Sequence, residues 1–482
     1  MLFGYDAIKS NRYRRNKGYH PIRDEFIELN SYDRDELTGN LLDLKRNNPV
    51  VAAISRLKKT DIVGPGIHPQ PATADEDFNK RIFEMWRDWS EYPEVTREMT
   101  MAEVQKELVD SCLFFGDMGV LNLRNGSIQL FDGSRIGNPG GVGSFNERSP
   151  EKNGVITNKY GRPVSYCVGQ RVNGSLVDVQ KISARHFNLY FKRMRPSQWR
   201  GVPTLAPVVN TLMDVAEFEE IEMISAKVSA SLSAVIKREN AVSFELGNRA
   251  PEDEQDTEGR LETFEPGVFH YLEPGESVET ISTSGRPNVD GIQWLQYAMR
   301  KVGACVGIPY EFLLADIGGA SFSAAQGVNL QYQADVEEEQ RLLKKFMGKL
   351  YRWKVAKWVA DGDIEVPGKV ENPFEVRWQT PKFRWINRAS QVEADIRYLQ
   401  LGAISLDDVS GQFGESALVC MRRKATNIAQ AKQVAEEFGI DDYREIFNQL
   451  ETFANVNYAD LLGIDKAAPR GAGRPTETET TE

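Results

Sequence analysis

A long run of regularly spaced apolar residues between positions 204 and 236 is the strongest pattern in the chain. These residues recur every three or four positions, which is the spacing of one face of an α-helix; they are Val208, Leu212, Val215, Phe218, Ile221, Ile224, Val228, Leu232 and Val235. Thr204 is placed to cap the free amides of this helix, and Pro207 suits its first turn, where a missing N–H costs little. The pattern predicts one helix of about thirty residues, reaching roughly 45 Å.

Such a helix is longer than most compact domains are wide, so we expect it to be supported from outside one domain. Its second half, from residue 225 to residue 234, consists largely of Ser and Ala, which let neighbouring helices approach closely. Its first half is acidic, with Asp214, Glu217, Glu219, Glu220 and Glu222. A long core helix of a large enzyme is the alternative interpretation of this segment taken alone.

The residues that follow predict a hairpin that protrudes from the rest of the chain. Residues 237 to 285 have the character of short strands interrupted by an acidic loop. A second amphipathic helix then begins at Asn288 or Asp290 and is stopped by Gly307-Ile308-Pro309. A third long helix, about Ser323 to Ala360, is acidic in its middle and basic in its later half.

The flanking segments predict a mixed α+β architecture. Periodicity near two, broken by Gly, Asn, Asp and Pro, predicts short antiparallel strands between Met118 and Phe191. A strand near Phe374 to Gln379 is expected to return to this part of the chain. Helices are predicted on both sides of an Asn-Asn-Pro break after Leu41, at Asp75 to Glu91, at Met101 to Gly116, and from Asn387 onward with Gly402 and Gly439 as helix ends.

Composition narrows the possible functions. The 482 residues allow two to four domains, and a formal charge of −11 argues against a broad basic face that grips nucleic acid. Four cysteines and four histidines are scattered without metal-ligand spacing, so we expect neither a metal nor a cofactor. The chain shows no apolar run of about eighteen residues and no N-terminal signal pattern, so we expect an intracellular site of assembly and no membrane contact.

Motifs that carry catalysis are missing from the sequence. It contains no phosphate-binding GxxxxGK[ST] loop, no GxSxG turn around a nucleophile and no HExxH zinc motif. The adjacent acids Asp407 and Asp408 stand at a predicted helix start, where capping explains them. We therefore predict no catalytic residues; a multidomain nucleic-acid-processing enzyme with dispersed carboxylates is the alternative.

Three stretches in a fixed order resemble the phage portal protein family, specifically its lambda-like branch. The first is Arg46-Asn47-Asn48-Pro49 through Ile54, followed by Val63-Gly64-Pro65-Gly66-Ile67. The second is Arg195-Pro196-Ser197-Gln198-Trp199-Arg200-Gly201-Val202-Pro203 with Leu205-Ala206-Pro207. The third is Val306-Gly307-Ile308-Pro309-Tyr310-Glu311-Phe312-Leu313-Leu314, followed by Ser321-Phe322-Ser323-Ala324-Ala325. Ser197 and Gln326 depart from the Gly and Arg that the family pattern leads us to expect.

The resemblance implies an α+β portal fold whose subunits, usually twelve, form a ring at one capsid vertex. Its parts would be a flexible N-terminal arm (1–40), a wing (41–203 with 370–380), a first stem helix (204–236), a clip (237–287), a second stem helix (288–309), a tunnel loop (310–322), a long wing helix (323–369), a helical crown (387–465) and a disordered tail (466–482).

The implied function is a head–tail connector through which viral DNA is packaged and ejected. Implied partners are other copies of the chain, double-stranded DNA bound without sequence specificity, the terminase large subunit, major capsid and scaffolding proteins, and head-completion, adaptor and tail proteins. The chain would lie at the portal vertex of the virion after assembly in the host cytoplasm. The tunnel-loop candidates are Asp316, Ile317, Gly318, Gly319, Ala320 and Ser321.

Acidic side chains are the other candidate functional residues, because an acidic wall lets DNA slide whereas a basic one would hold it. Candidates for the channel wall or the subunit seams are Asp214, Glu217, Glu222, Asp335, Glu337, Glu338 and Glu339. Candidates for docking the packaging motor or adaptors on the clip are Glu252, Asp253, Glu254, Asp256, Glu258 and Glu262.

Overall fold

The computed structural model describes residues 31–137, 151–172, 174–231, 235–238, 276–279, 289–315, 322–381, 388–410 and 417–439. The chain divides into two compact units, Met1–Phe383 and Arg384–Glu482. Helices and sheets are mixed in the first unit, and the described part of the second is helical. The predicted α+β class is therefore confirmed.

The described part of the first unit begins with four helices: α1 (Ser31–Asn47), α2 (Pro49–Ile62), α3 (Glu76–Glu91) and α4 (Met101–Phe114). Their starts follow from local sequence. Asn48 accepts hydrogen bonds from the amides of α2, and Thr100 and Glu103 form a reciprocal capping box on α4. The predicted flexible arm is wrong for residues 31–40, since α1 begins at Ser31 and its residues Arg34 and Thr38 are buried.

The strands are β1 (His68–Pro71), β2 (Asp117–Asn122), β3 (Ile128–Asp132), β4 (Glu151–Lys152), β5 (Val155–Thr157), β6 (Pro163–Val172), β7 (Ser175–Ser183), β8 (Phe187–Phe191) and, near the end of the unit, β11 (Val376–Gln379). They form antiparallel sheets ordered β3-β2-β8, β4-β5-β6-β7 and β1-β11. The predicted antiparallel strands, and the late strand that returns to this unit, are confirmed.

The long helices are α5 (Val209–Ser231), α6 (Val289–Val306) and α8 (Phe322–Asp361), with the short α7 (Tyr310–Leu313) between the last two. Strand β9 (Val235–Arg238) follows α5 and pairs antiparallel with β10 (Glu276–Glu279), which precedes α6. The predicted order of helix, strand module and helix is confirmed. The predicted helix to Ile236 is too long, because the β-branched Val235 and Ile236 lie in a strand, where such side chains pack well.

Two hydrophobic clusters lie in the first unit. The larger one joins α1 to α4 with β2, the start of α5, α6 and the middle of α8, and includes Leu41, Leu212, Val302 and Tyr351. The smaller one fills the space between the two larger sheets, where Phe187 packs between Phe131 and Tyr166 at ring distances of 6.0 and 4.9 Å.

The described part of the second unit consists of α9 (Arg388–Gln400), α10 (Leu406–Ser410) and α11 (Ala417–Phe438). Gly402 and Gly439 have φ of +69° and +68°, so both predicted helix ends are confirmed. The large side chains of Leu401 and Phe438 remain 79% and 73% exposed.

Candidate channel and assembly surfaces

A buried ion pair between Arg200 and Asp117 ties the strands to the start of α5. Arg200 Nε and Nη2 donate to Asp117 Oδ2 and Oδ1 at 2.6 and 2.9 Å. The other donors reach the carbonyl oxygens of Gly133, Ile136 and Asn153, each at 2.7 Å. Every N–H of the guanidinium is therefore bonded, as a charge only 3% exposed requires.

Two glycine backbones pass in direct contact beside this pair. A Cβ atom on Gly201 would lie 1.8 Å from the carbonyl oxygen of Gly116, and one on Gly116, whose φ is +84°, would lie 2.6 Å from the carbonyl carbon of Gly201. Gly201 N donates to Asp117 Oδ2 at 2.8 Å, and its carbonyl accepts from Arg34 Nη1 at 2.8 Å. In the second motif, Arg200 is therefore required to neutralise Asp117, and Gly201 is required because a side chain would collide with Gly116.

The approach to α5 is tied to both α4 and α6. Thr204 donates from N and from Oγ1 to the carbonyl of Cys112 at 3.0 and 3.2 Å, and the thiol of Cys305 donates to Thr204 O at 3.4 Å. The predicted capping role of Thr204 is thus wrong, because its hydroxyl is used between elements. Pro207 does lie in the first turn, a 3₁₀ turn at Ala206–Val208.

The Val-Gly-Pro-Gly-Ile turn is held by one buried amide. Gln105, which is fully buried, accepts from Ile67 N at 2.7 Å and donates to Ile67 O at 2.9 Å. Gly64 and Gly66 have φ of +52° and +123°, which side chains disfavour. The first motif therefore forms the turn that leads from α2 into β1.

The Val-Gly-Ile-Pro turn connects α6 to α8. Gly307 has φ +68° and ends α6, as predicted, and a Cβ atom there would lie 3.0 Å from Asp335 Oδ2 on α8. Ile308 N donates to Gly303 O at 3.0 Å, and a Cβ atom on Gly303 would lie 2.5 Å from Ile308 O. All three motifs are structural junctions.

The acidic candidates on α5 lie mostly outside the core. Asp214 and Glu217 are exposed, Glu222 is half-buried, and only Leu212 and Val215 are buried in this stretch. Within the described part of the chain, neither Asp214 nor Glu217 forms an ion pair. Their position at a channel wall or a subunit seam stays a prediction.

The α5–α6 hairpin carries opposite charges at one height. Phe218 packs on Trp294 with ring centroids 5.0 Å apart, which sets the relative height of the two antiparallel helices. Asp214 and the cation Arg300 then lie within about one turn of each other along the hairpin. Arg300 is exposed and lies over the ring of Tyr310 at 4.7 Å.

The same hairpin exposes large apolar side chains. The predicted apolar stripe of α5 is buried at Val208, Leu212 and Val215 and partly buried at Phe218, whereas Ile221 and Ile224 are 56% and 52% exposed. On α6, Tyr297 is 61% exposed. Other exposed members of this surface are Met213, Met223, Ile292 and Trp294. Several large apolar side chains left exposed on two paired helices are typical of an interaction site.

Glu339 differs from the other acidic candidates because it holds two helices together. Its carboxylate accepts from Lys58 Nζ of α2 at 2.8 Å, and Lys58 is only 1% exposed. Nearer the start of α8, Tyr332 donates from its hydroxyl to Asp61 at 2.8 Å. Sequence reasoning missed Lys58 and Asp61, since their partners lie more than 270 residues away.

The remaining acidic candidates of α8 point in different directions. Asp335 lies beside Gly307. Glu338 pairs with Arg341 at 2.8 Å on the exposed face, and Glu337, also exposed, accepts from Gln333 at 3.2 Å. The tunnel-loop candidates at 316–321 and the clip candidates at 252–262 lie outside the described residues.

Several chemical features bear on catalysis and location. The described residues contain no group of three metal-ligating side chains, and all four cysteines are free thiols. Burial raises the pKa of Cys112, so its thiol stays protonated and unreactive. Among the helices that the structure describes, none has the length and apolarity to span a bilayer.

Comparisons with known proteins identify a family. No curated protein matches the chain. Solved structures of gene transfer agent (GTA) particles resemble it at 15% identity: the neck of a native particle computed with C12 symmetry (76% of this chain, 90% of that chain, TM-score 0.43), the neck of an empty particle computed with C6 symmetry (77%, 92%, 0.44) and the virion of a native particle (77%, 91%, 0.44).

A protein-family comparison identifies the family of this chain. The family described as phage portal protein, lambda family, matches residues 12–340, which include all three junction motifs. Portal proteins are structural, which agrees with the prediction that no side chain is catalytic. Because the match covers more than half of the chain, this protein belongs to the lambda family of phage portal proteins and is a portal, or head–tail connector, protein.

Proposed function

We propose that the protein forms a closed ring, usually of twelve subunits, at the portal vertex of the virion, and that viral DNA passes through its centre during packaging and ejection. The ring performs no catalysis in this proposal. The observation that carries it is the outer surface of the α5–α6 hairpin, which leaves Ile221, Ile224 and Tyr297 more than half exposed. A neighbouring hairpin is the partner that would cover them.

Energetics favour covering this surface. Complete burial of one large apolar side chain contributes about 1.5–3 kcal/mol, so covering the exposed halves of several such side chains offsets part of the association cost of at least about 4 kcal/mol per seam. Neighbouring subunits of a ring are related by a rotation about its axis, so a given residue has the same position along the axis in every subunit. Asp214 of one subunit can therefore meet Arg300 of the next, because the two lie at one level of the hairpin.

Acidic residues support the passage of DNA. Double-stranded DNA carries one negative charge per roughly 1.7 Å, so carboxylates along a channel repel it and prevent tight binding. Exposed acids on α5 and α8, such as Glu217 and Glu337, fit such a wall. Glu339 does not, since it is paired inside the subunit.

Partners of the ring follow from the resemblance and from charge. We propose that the terminase large subunit and the adaptor, head-completion and tail proteins dock on the acidic loop at 252–262, and that capsid and scaffolding proteins surround the ring as it assembles in the host cytoplasm. Loss of that loop is expected to abolish motor binding in a pull-down while leaving ring assembly intact. Motor binding that survives the deletion would refute the assignment of the loop.

The ring is tested by electron microscopy and mass photometry of the purified chain. Twelve chains of 54.4 kDa would give a particle of about 650 kDa. The variant Ile221→Asn/Ile224→Asn is expected to shift the mass toward single chains. Its matched control is Val95→Asn/Val366→Asn, which changes two exposed apolar residues outside the hairpin. A wild-type chain that stays monomeric, or equal assembly of both variants, would contradict the proposal.

A further inference from the structure

A cluster of cations lies on one face of α8, apart from the residues assigned above to the subunit seams and the channel wall. Lys345, Lys349 and Arg352 are spaced four and three residues apart, so all three lie on one side of the helix, along about 10 Å of its axis. All three are exposed, and within the described part of the chain none of them forms an ion pair. Their charges are therefore not neutralised by the protein.

A fourth cation joins them from the end of β8. Tyr190 of β8 packs on Phe346 with ring centroids 5.2 Å apart, which brings the residues after β8 alongside this part of α8. Arg193 is exposed there, held over the ring of Phe191 at 5.4 Å and donating to Pro196 O at 3.0 Å. These four residues, Arg193, Lys345, Lys349 and Arg352, are called the basic ridge below.

The electrostatics of Lys349 show how concentrated this charge is. Partial burial lowers its pKa first, and repulsion from Lys345, Arg193 and Arg352 lowers it further. No carboxylate opposes these effects on the described surface around it. A ridge of this sign stands out in a chain with a net charge of −11 and offers a binding surface for a negatively charged ligand.

The chemistry of the ridge fits a phosphate backbone better than a protein partner. Lysine is depleted from protein–protein interfaces, which centre on apolar and aromatic side chains. Helix α8 exposes no large apolar residue from residue 331 to its end at Asp361. Phosphates, in contrast, are contacted mainly by Lys and Arg, independently of sequence.

We propose that the basic ridge binds the phosphate backbone of double-stranded DNA without reading its sequence, as a holding surface separate from the acidic residues of the channel wall. This rests on the proposed function only in taking DNA as the polyanion that the protein handles. An acidic surface of another protein, including a second copy of this chain, is the competing partner.

The test measures binding of a fluorescent duplex of about 30 base pairs to the full-length protein by anisotropy, over 25–200 mM NaCl. Each neutralised phosphate contributes about −0.9 to the slope of log K against log[salt], so Lys345→Gln/Lys349→Gln/Arg352→Gln is expected to make the slope shallower by about 2 to 3 and to weaken binding at least tenfold at low salt. Arg193 is left unchanged because it also supports its own loop.

The matched control is Lys80→Gln/Arg185→Gln/Lys369→Gln, which removes three exposed cations from separate elements and the same net charge. Equal losses in both variants would overturn the proposal, because the effect would then be one of overall charge. If the wild-type protein forms rings and the ridge variant binds DNA as tightly as wild type, the proposal is overturned. It is also overturned if the ridge variant fails to assemble into rings. A wild-type chain that binds DNA through the ridge but forms no ring would refute the proposed function alone.

Discussion

Replacing Arg200 by Met should strongly destabilise the first unit. The substitution keeps much of the side-chain volume but leaves the fully buried Asp117 with only the more distant cation Arg34, at 4.0 Å, and leaves three carbonyls without their donor. Breaking a buried ion pair from one side costs about 3–5 kcal/mol, because the remaining charge is uncompensated.

The expected change in melting temperature follows from the size of the unit. With about 2.1 cal/mol/K of unfolding entropy per residue, a unit as long as Met1–Phe383 has roughly 0.8 kcal/mol/K, so a loss of about 4 kcal/mol lowers Tm by about 5 °C. Differential scanning fluorimetry of the purified protein measures this. Arg200→Lys, which keeps the charge but not the fork, should lose about half as much.

Two further variants make the reasoning refutable. Arg200→Met/Asp117→Leu removes both members of the pair and should melt no lower than Arg200→Met alone, since the buried Asp117 charge is gone and Arg34 keeps its hydrogen bonds to the carbonyls of Phe115 and Gly201. Arg185→Met, at an exposed position, should stay within about 1 °C of wild type. A melting temperature of Arg200→Met within that same margin would show that the hydrogen-bonded guanidinium does not hold this junction.

Three other predictions concern α8 and its contacts. Glu339→Gln should lower the free energy of unfolding by about 1–3 kcal/mol, because the buried cation Lys58 loses its partner. The exposed Glu337→Gln should change it by less than about 0.5 kcal/mol. Urea unfolding compares the two variants, and equal effects would contradict the conclusion that Glu339 is paired inside the subunit whereas Glu337 is exposed. Gly307→Ala should cost about 1–2 kcal/mol in the same assay, since its φ of +68° disfavours a side chain; an unchanged midpoint would be incompatible with that backbone. Burial lowers the pKa of Lys354 to about 8, so the unfolded chain binds more protons than the folded chain between that value and the usual pKa near 10.5. The Tm of wild type should therefore rise relative to that of Lys354→Met from pH 7 to pH 10. A difference in Tm that does not change with pH would refute the lowered pKa.

Local signals predicted the elements well. The stop at Gly307, the helix end at Gly402 and the start at Asn48 depend on residues within one turn, so propensity and capping rules were sufficient. The same rules did not predict the start of α1. Its first ten residues are mostly polar, and the burial of Arg34 comes from a tertiary contact with the backbone at Gly201.

Functional geometry was harder to predict than the elements. The Arg-Gly step at 200–201 was found through its resemblance to a family motif, but its partner Asp117 lies 83 residues earlier in the chain. Acidic residues in a row on α8 looked equivalent in the sequence. Only the fold separates Glu339, which pairs with Lys58, from its neighbour Glu338, which faces solvent.

The one-sided attachment of the hairpin has a mechanical consequence. Helix α5 is fixed where Thr204 bonds to Cys112, and the opposite end of the helix passes into β9. With 23 residues it forms a lever arm of about 35 Å, so a tilt of about 5° at the fixed end moves the far end by about 3 Å. A force applied at the far end therefore acts as a torque on the junction where the backbones of Gly116 and Gly201 are in contact and leave no room for movement.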